Sequence, residues 1–226
     1  MTIADNLAHI KNTIQKSCDK AGRDAADVTI IAVTKYVSID TAGAALKAGV
    51  EHLGENRLEG ALEKWQEFDG QATFHFIGTL QSRKAKDLIG KYDYFHSLDR
   101  LSLAKEFQKR CPEGEKIRCF VQVNVSGEES KAGLSLKETI PFIKSLEKYP
   151  ALEVIGLMTM APFVENPEEA RPVFRGLREL RDEVQKLNLS HAPCRELSMG
   201  MSNDFHVAVE EGATFVRIGS ILVGKE

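Results

Sequence analysis

Val28-Thr29-Ile30-Ile31-Ala32-Val33-Thr34-Lys35 is the first strongly apolar run of the chain. It is β-branched, short and followed by a helix-like stretch, as expected of a strand buried on both faces in a parallel sheet. The run closes on a lysine. Barrels and doubly wound sheets build their active sites at the carboxyl ends of their strands. An amine held there, partly out of water, suits a Schiff base with an aldehyde. Taken alone, the run is read more simply as a lysine that leaves its strand for solvent.

Outward from this run, strand and helix patterns alternate. Residues 39–49 read as a helix stopped by Gly49, 52–57 as a short strand and 59–68 as a helix. The spans 73–78, 92–98, 117–125 and 152–160 read as strands, followed by helical stretches over 81–89, 101–110, 136–148 and 167–187. A strand over 195–199, a helix over 205–211 and a strand over 215–222 complete the series. Eight strands with helices between them predict one (β/α)8 TIM barrel over residues 1–226. A doubly wound open sheet is the alternative, since the second and seventh strands are short. The eighth strand leaves no room for a full helix before Glu226, so the helix over 4–20 is expected to cover that part of the barrel.

Composition narrows the function classes. The apolar and charged fractions, 42% and 28%, are those of a soluble globular chain long enough to bury one core. A formal charge of −3 is too near neutral to point to nucleic acid or an anionic membrane. No apolar run approaches the roughly 20 residues of a membrane span. Ile3, Leu7, Ile10 and Ile14 form a helical stripe rather than a signal peptide. Cys18, Cys111, Cys119 and Cys194 form no CxxC pair, and the histidines show no metal-ligand spacing. The expectation is a reduced, cytoplasmic protein without a metal, its cysteines acting as small buried hydrophobes. The arginines at 171, 175, 178 and 181 read as a solvated helix face.

Leu197-Ser198-Met199-Gly200-Met201-Ser202-Asn203-Asp204-Phe205 joins the seventh strand to a helix through a small polar turn. Such a turn offers backbone N–H groups to an anion. In the eighth strand, Phe215, Arg217 and Gly219 share one face. A guanidinium buried there needs a partner. One candidate is a barrel carboxylate such as Glu55 or Glu196. The other is a ligand, because barrels often hold a phosphate between the loops after strands seven and eight, where Gly219-Ser220 lies. Two loops and the lysine converging favour the phosphate.

Further segments in the same order are Gly54-Glu55-Asn56-Arg57, His75-Phe76-Ile77-Gly78-Thr79-Leu80-Gln81, His96-Ser97-Leu98-Asp99, Gly156-Leu157-Met158-Thr159-Met160 and Val216-Arg217-Ile218-Gly219-Ser220. With them, the chain resembles the pyridoxal phosphate homeostasis proteins, single-barrel relatives of the alanine racemase N-terminal domain, from about residue 3 to residue 224. The resemblance implies that Lys35 holds pyridoxal 5'-phosphate (PLP) as an internal aldimine. Ser198, Gly219 and Ser220 would cradle the phosphate, Met199 and Gly200 would shape the turn, and Arg217 would meet the pyridine nitrogen. Asn56 and His75 would line the ring or its phenolic oxygen, and Met160 would pack near the cofactor or fill the core. Gln81-Ser82-Arg83-Lys84 departs from the family's usual Gln-x-Asn-Lys, and Leu222-Val223-Gly224 from Ile-Phe-Gly.

An arginine has no proton to give a pyridine nitrogen, so the cofactor would be a poor electron sink. The resemblance implies a monomeric protein that stores, buffers or delivers PLP and other B6 vitamers, with PLP-dependent apoenzymes as partners. No catalytic residue is assigned. A weak fold-type III amino-acid racemase and a Schiff-base aldolase holding a substrate phosphate are the enzyme alternatives.

Overall fold

Period-two patterning in eight short runs closes a sheet on itself. The structure is a computed structural model and describes residues 2–226. Its strands are β1 Thr29–Val33, β2 His52–Glu55, β3 Thr73–Phe76, β4 Tyr94–Leu98, β5 Ile117–Gln122, β6 Leu152–Met158, β7 Glu196–Met201 and β8 Phe215–Ile218. They pair in parallel in chain order, and β8 pairs with β1, giving the (β/α)8 barrel; the open-sheet alternative is excluded. The helices are α1 Ile3–Ala21, α2 Ile39–Lys47, α3 Leu58–Phe68, α4 Leu101–Arg110, α5 Leu136–Ser145, α6 Arg171–Lys186, α7 Phe205–Glu210 and α8 Ser220–Val223.

Several expected boundaries move. The strand expected to run to Leu222 ends at Ile218, and Ser220 opens the single helical turn α8. The β-branched run ends there, and Gly219 breaks the ladder with φ −108° and ψ −96°. The helix expected over 81–89 is a 3-10 segment, Ser82–Asp87. The stretch over 167–187 divides into a 3-10 turn, Pro167–Ala170, capped by Asn166, and then α6. As expected, α1 packs against α7 and α8, and Asn6 Nδ2 donates to Leu222 O at 3.0 Å. A Thr2–Asp5 capping box starts α1 and left-handed Gly22 ends it.

The expected solvated arginine face is instead an ion-pair cluster. Arg171, Arg175 and Arg178 meet Glu211 at 3.1, 3.0 and 2.9 Å, and Arg171 also meets Glu210 at 2.7 Å. Their spacing stacks them on one side of α6, where they clamp it to the end of α7.

Strand alternation sorts the side chains. Outward residues such as Ala32, Leu53, Val121, Leu157, Leu197 and Val216 pack under the helices. Inside the barrel, Ile31, Phe120, Met158 and Phe215 form a separate plug. The barrel is therefore filled, and its upper end is a floor rather than a channel. Cys18, Cys119 and Cys194 are buried free thiols, as expected, whereas Cys111 is half-buried.

One ion pair is buried between barrel and helix. Lys64 Nζ of α3 lies 2.7 Å from Glu55 Oε1, and both side chains are nearly sealed from solvent. Removing one partner of such a pair strands a charge out of water, at a cost of about 3–5 kcal/mol. Lys64→Met should lower the unfolding free energy by about that amount in urea melts. Adding Glu55→Leu should recover part of the loss, because the stranded carboxylate is then gone.

Candidate functional site

Lys35 is placed by the residue before it. Thr34 N–H bonds to Gly54 O at 3.0 Å, its hydroxyl donates to Glu55 Oε1 at 2.6 Å, and its carbonyl accepts from Lys64 Nζ at 2.6 Å. Pinned on the outer side of the sheet, Thr34 leaves Ile31, Val33 and Lys35 on the inner side. Lys35 therefore rises into the barrel mouth, half-buried, with Nζ 4.9 Å from the centre of the Tyr36 ring.

The mouth holds a cleft of about 450 Å³ lined by Lys35, Tyr36, Asn56, Met160, Arg217 and Ser220, among others. A larger cleft of about 660 Å³ around Trp65 and Pro112 brings no comparable set of groups together. Gly78 lets the β3 loop close on Asn56: a Cβ at residue 78 would lie 2.3 Å from Asn56 O. Among the described residues, Asn56 Oδ1 is buried without a hydrogen-bond partner. An orphaned acceptor costs free energy unless a ligand donor meets it.

Arg217 forms part of the floor and is 4% exposed. Its NH1 donates to Ser198 Oγ at 2.6 Å and its NH2 to Thr159 O at 2.8 Å. Neither partner is charged, and among the described residues no carboxylate forms an ion pair with it; Glu55 is committed to Lys64. The carboxylate partner considered from sequence is thereby excluded. Burial draws Arg217 down to about 10, against a smaller opposing pull from Asp204, so the group stays charged near neutral pH.

The loops after β7 and β8 meet. Gly219 N–H donates to Ser202 Oγ at 3.3 Å, and Ser202, Asn203, Gly219 and Ser220 line the cleft. Asp204 Oδ1 accepts from Met201 N at 2.6 Å and tightens the turn. Gly200, at φ +90°, brings the turn against α7, where a Cβ would sit 2.6 Å from Ala208 Cβ.

These contacts correct part of the sequence-based site. Lys35, Asn56, Met160, Arg217, Gly219 and Ser220 come together, while Ser198, Met199, Gly200 and His75 do not line the cleft. Ser198 is fully buried beneath Arg217 because it lies on the inner face of β7 before an irregularity in the β7–β8 register. That slip hands the cleft-facing hydroxyl position to Ser202, to which the sequence reading gave no role in the site. Met199 packs outward in the core, and Gly200 acts through its backbone. His75 sits deep in the barrel, bonded to His52 and His96. Tyr36 and Gln122 also line the cleft; Gln122 shares the inward face of Phe120 at period two, whereas Tyr36 lies beyond the end of β1.

The chain matches the family model of the alanine racemase N-terminal domain over residues 6–226. It is 43% identical over 230 aligned positions to the pyridoxal phosphate homeostasis protein of Aquifex aeolicus, covering 100% of this chain and 99% of that one. The chain belongs to this family. Among solved structures, PipY of Synechococcus elongatus superposes with a TM-score of 0.86 without PLP (31% identity) and 0.82 with PLP bound (29% identity). Each alignment covers 99% of this chain and 100% of PipY. No helix among the described residues is long and apolar enough to cross a membrane.

This family member carries a histidine column beneath its cleft. Desolvation holds His75 and His96 well below their ordinary 6.5; His96 and His52 add to this at His75, and Arg217 adds to it at His96. Below pH 6.5 the unfolded chain therefore binds protons that the folded chain refuses. Stability is full above that pH and falls as the solution is acidified. From pH 6.5 to 5.5 the unfolding free energy should drop by about 1 kcal/mol for each of the two histidines. Burial lowers His52 as well and adds to the slope, so urea melts across that window should show a shallower pH dependence in His75→Phe than in wild type.

Proposed function

We propose that the chain binds PLP in the β1–β8 cleft and serves as an intracellular store, buffer or donor of the cofactor. The observation that carries this reading is the pairing, across one cleft, of a lysine amine with a buried guanidinium that bonds to no carboxylate among the described residues. The orphaned Asn56 Oδ1 in the same wall supports it, since an acceptor there suits a donor on the ligand. The family name of the Aquifex aeolicus relative and the PLP-bound form of PipY support it independently.

In this reading, Lys35 would hold PLP through its aldehyde, the group this cofactor supplies to an amine. Ser202 and the backbone N–H groups of Gly219 and Ser220 hold the phosphate, at the place where barrels gather such donors. Arg217 would offer an N–H to the ring nitrogen and has no proton to give it, so that nitrogen would stay unprotonated. Bound in this way, PLP supplies a reactive aldehyde and a ring of reduced electron-withdrawing power. That combination favours capture and release over turnover. Apoenzymes that accept the aldehyde, and other B6 vitamers that fit the cleft, follow as partners of a cytoplasmic monomer.

Purified protein incubated with PLP should turn yellow, and borohydride should bleach it while fixing the cofactor to Lys35. Lys35→Ala should lose the band yet retain some cofactor through the phosphate cradle. Ser202→Ala should weaken binding by about tenfold if its hydroxyl bonds a charged phosphate oxygen. A colourless wild type that cannot be loaded overturns the proposal. Conversion of single-enantiomer alanine to racemate, lost in Lys35→Ala, would move the protein to the racemase class.

A further inference from the structure

Beneath the cleft, a polar column crosses an interior that is otherwise apolar. His52 Nδ1 lies 2.9 Å from His75 Nε2, His75 Nδ1 lies 3.0 Å from His96 Nε2, and His96 Nδ1 lies 2.9 Å from Ser198 Oγ. Above it, Arg217 NH1 lies 2.6 Å from the same Ser198 oxygen. Five residues from β2, β3, β4, β7 and β8 thus form one continuous chain of hydrogen bonds.

Proton bookkeeping gives the column a direction. Arginine only donates, so Ser198 Oγ accepts from Arg217. Among the described residues, the Ser198 hydroxyl has one other partner, His96 Nδ1, so its proton goes there. A neutral imidazole has one N–H. His96 then carries it on Nε2 and donates to His75, and His75 likewise donates through Nε2 to His52. The Nε2–H of half-buried His52 ends the chain at the lower rim. Desolvation keeps His75 and His96 neutral, as this count requires.

The rings are held in these orientations. His75 stacks on Tyr94 with centroids 4.6 Å apart, and His96 on Phe120 at 4.2 Å. The stacking fixes the ring planes, and the hydrogen bonds at both nitrogens of His75 and of His96 fix which ring edge carries them. Apolar side chains would fill the space with less desolvation, so the column has to be explained by what it does at its upper end.

We propose that His96 and His75 are positioning residues for the cofactor: through this one-way column they keep the Ser198 lone pairs turned to Arg217, and so aim the guanidinium at the ring nitrogen. The inference rests on the PLP reading of the cleft. His96, His75 and Ser198 are absent from the cleft wall, so any effect they have on the bound ring passes through Arg217.

Two measurements decide it. The first uses the unloaded wild-type protein with nitrogen-15 in its histidines at neutral pH. Long-range proton–nitrogen correlations should show the Nε2–H form for His52, His75 and His96; an Nδ1–H form at His75 or His96 overturns the column. The second compares PLP affinity and the visible band of wild type, Ser198→Ala, His96→Phe and the double variant. Each single variant should shift the band and weaken binding by about tenfold. The double variant should bind no more weakly than Ser198→Ala alone, since the histidine acts through the serine. His96→Asn keeps an acceptor at the Nδ1 position and should restore most of the wild-type band. Unchanged spectra and affinities in folded single variants overturn the proposal. If wild type itself takes up no PLP, the functional reading fails and the nitrogen correlations alone judge the column.

Discussion

Arg217 brings a full positive charge into the barrel and, among the described residues, meets only two neutral acceptors there, Ser198 Oγ and Thr159 O. A buried charge answered by neutral groups alone is expensive, and most folds avoid it. Much of the upper barrel follows from accommodating it. Ser198 has to lie beneath it with its lone pairs free, and Thr159, just past the end of β6, has to offer its carbonyl. The cleft above has to supply whatever the remaining N–H groups bind. The same charge on an exposed residue would say nothing about function.

The lysine across the cleft depends on a different kind of burial. Glu55 and Lys64 neutralise one another between the sheet and α3, and both bond to Thr34. Their pairing fixes the turned-out Thr34, just past the end of β1, and so turns Lys35 inward. Two ionic arrangements, one paired and one not, thus place the two charged groups that define the site.

The barrel interior separates these tasks by height. A plug of Ile31, Phe120, Met158 and Phe215 excludes water from the middle, with the histidine column threaded beside it. Low dielectric strengthens each hydrogen bond in that column and raises the cost of breaking one. The site is consequently built on a rigid, dry support, while its mouth carries exposed groups such as Tyr36 and Phe163.

The amino-acid sequence by itself determined the eight-fold alternation, the lysine at the end of the first apolar run and the arginine within the last one, because strand periodicity and burial of branched residues are local properties. It also carried the family resemblance. It could not show that Ser198 faces the barrel interior while Ser202 faces the cleft. An irregularity in the β7–β8 pairing changes which residues point inward, and that depends on the neighbouring strand. Nor could it show that His52, His75 and His96 touch, since residues more than twenty positions apart become neighbours only when β2, β3 and β4 pair in register. The arginine face on α6 was misread for the same reason: Glu211, its partner, lies just past the end of α7. Local chemistry chose the elements, and the closed sheet chose which side chains meet.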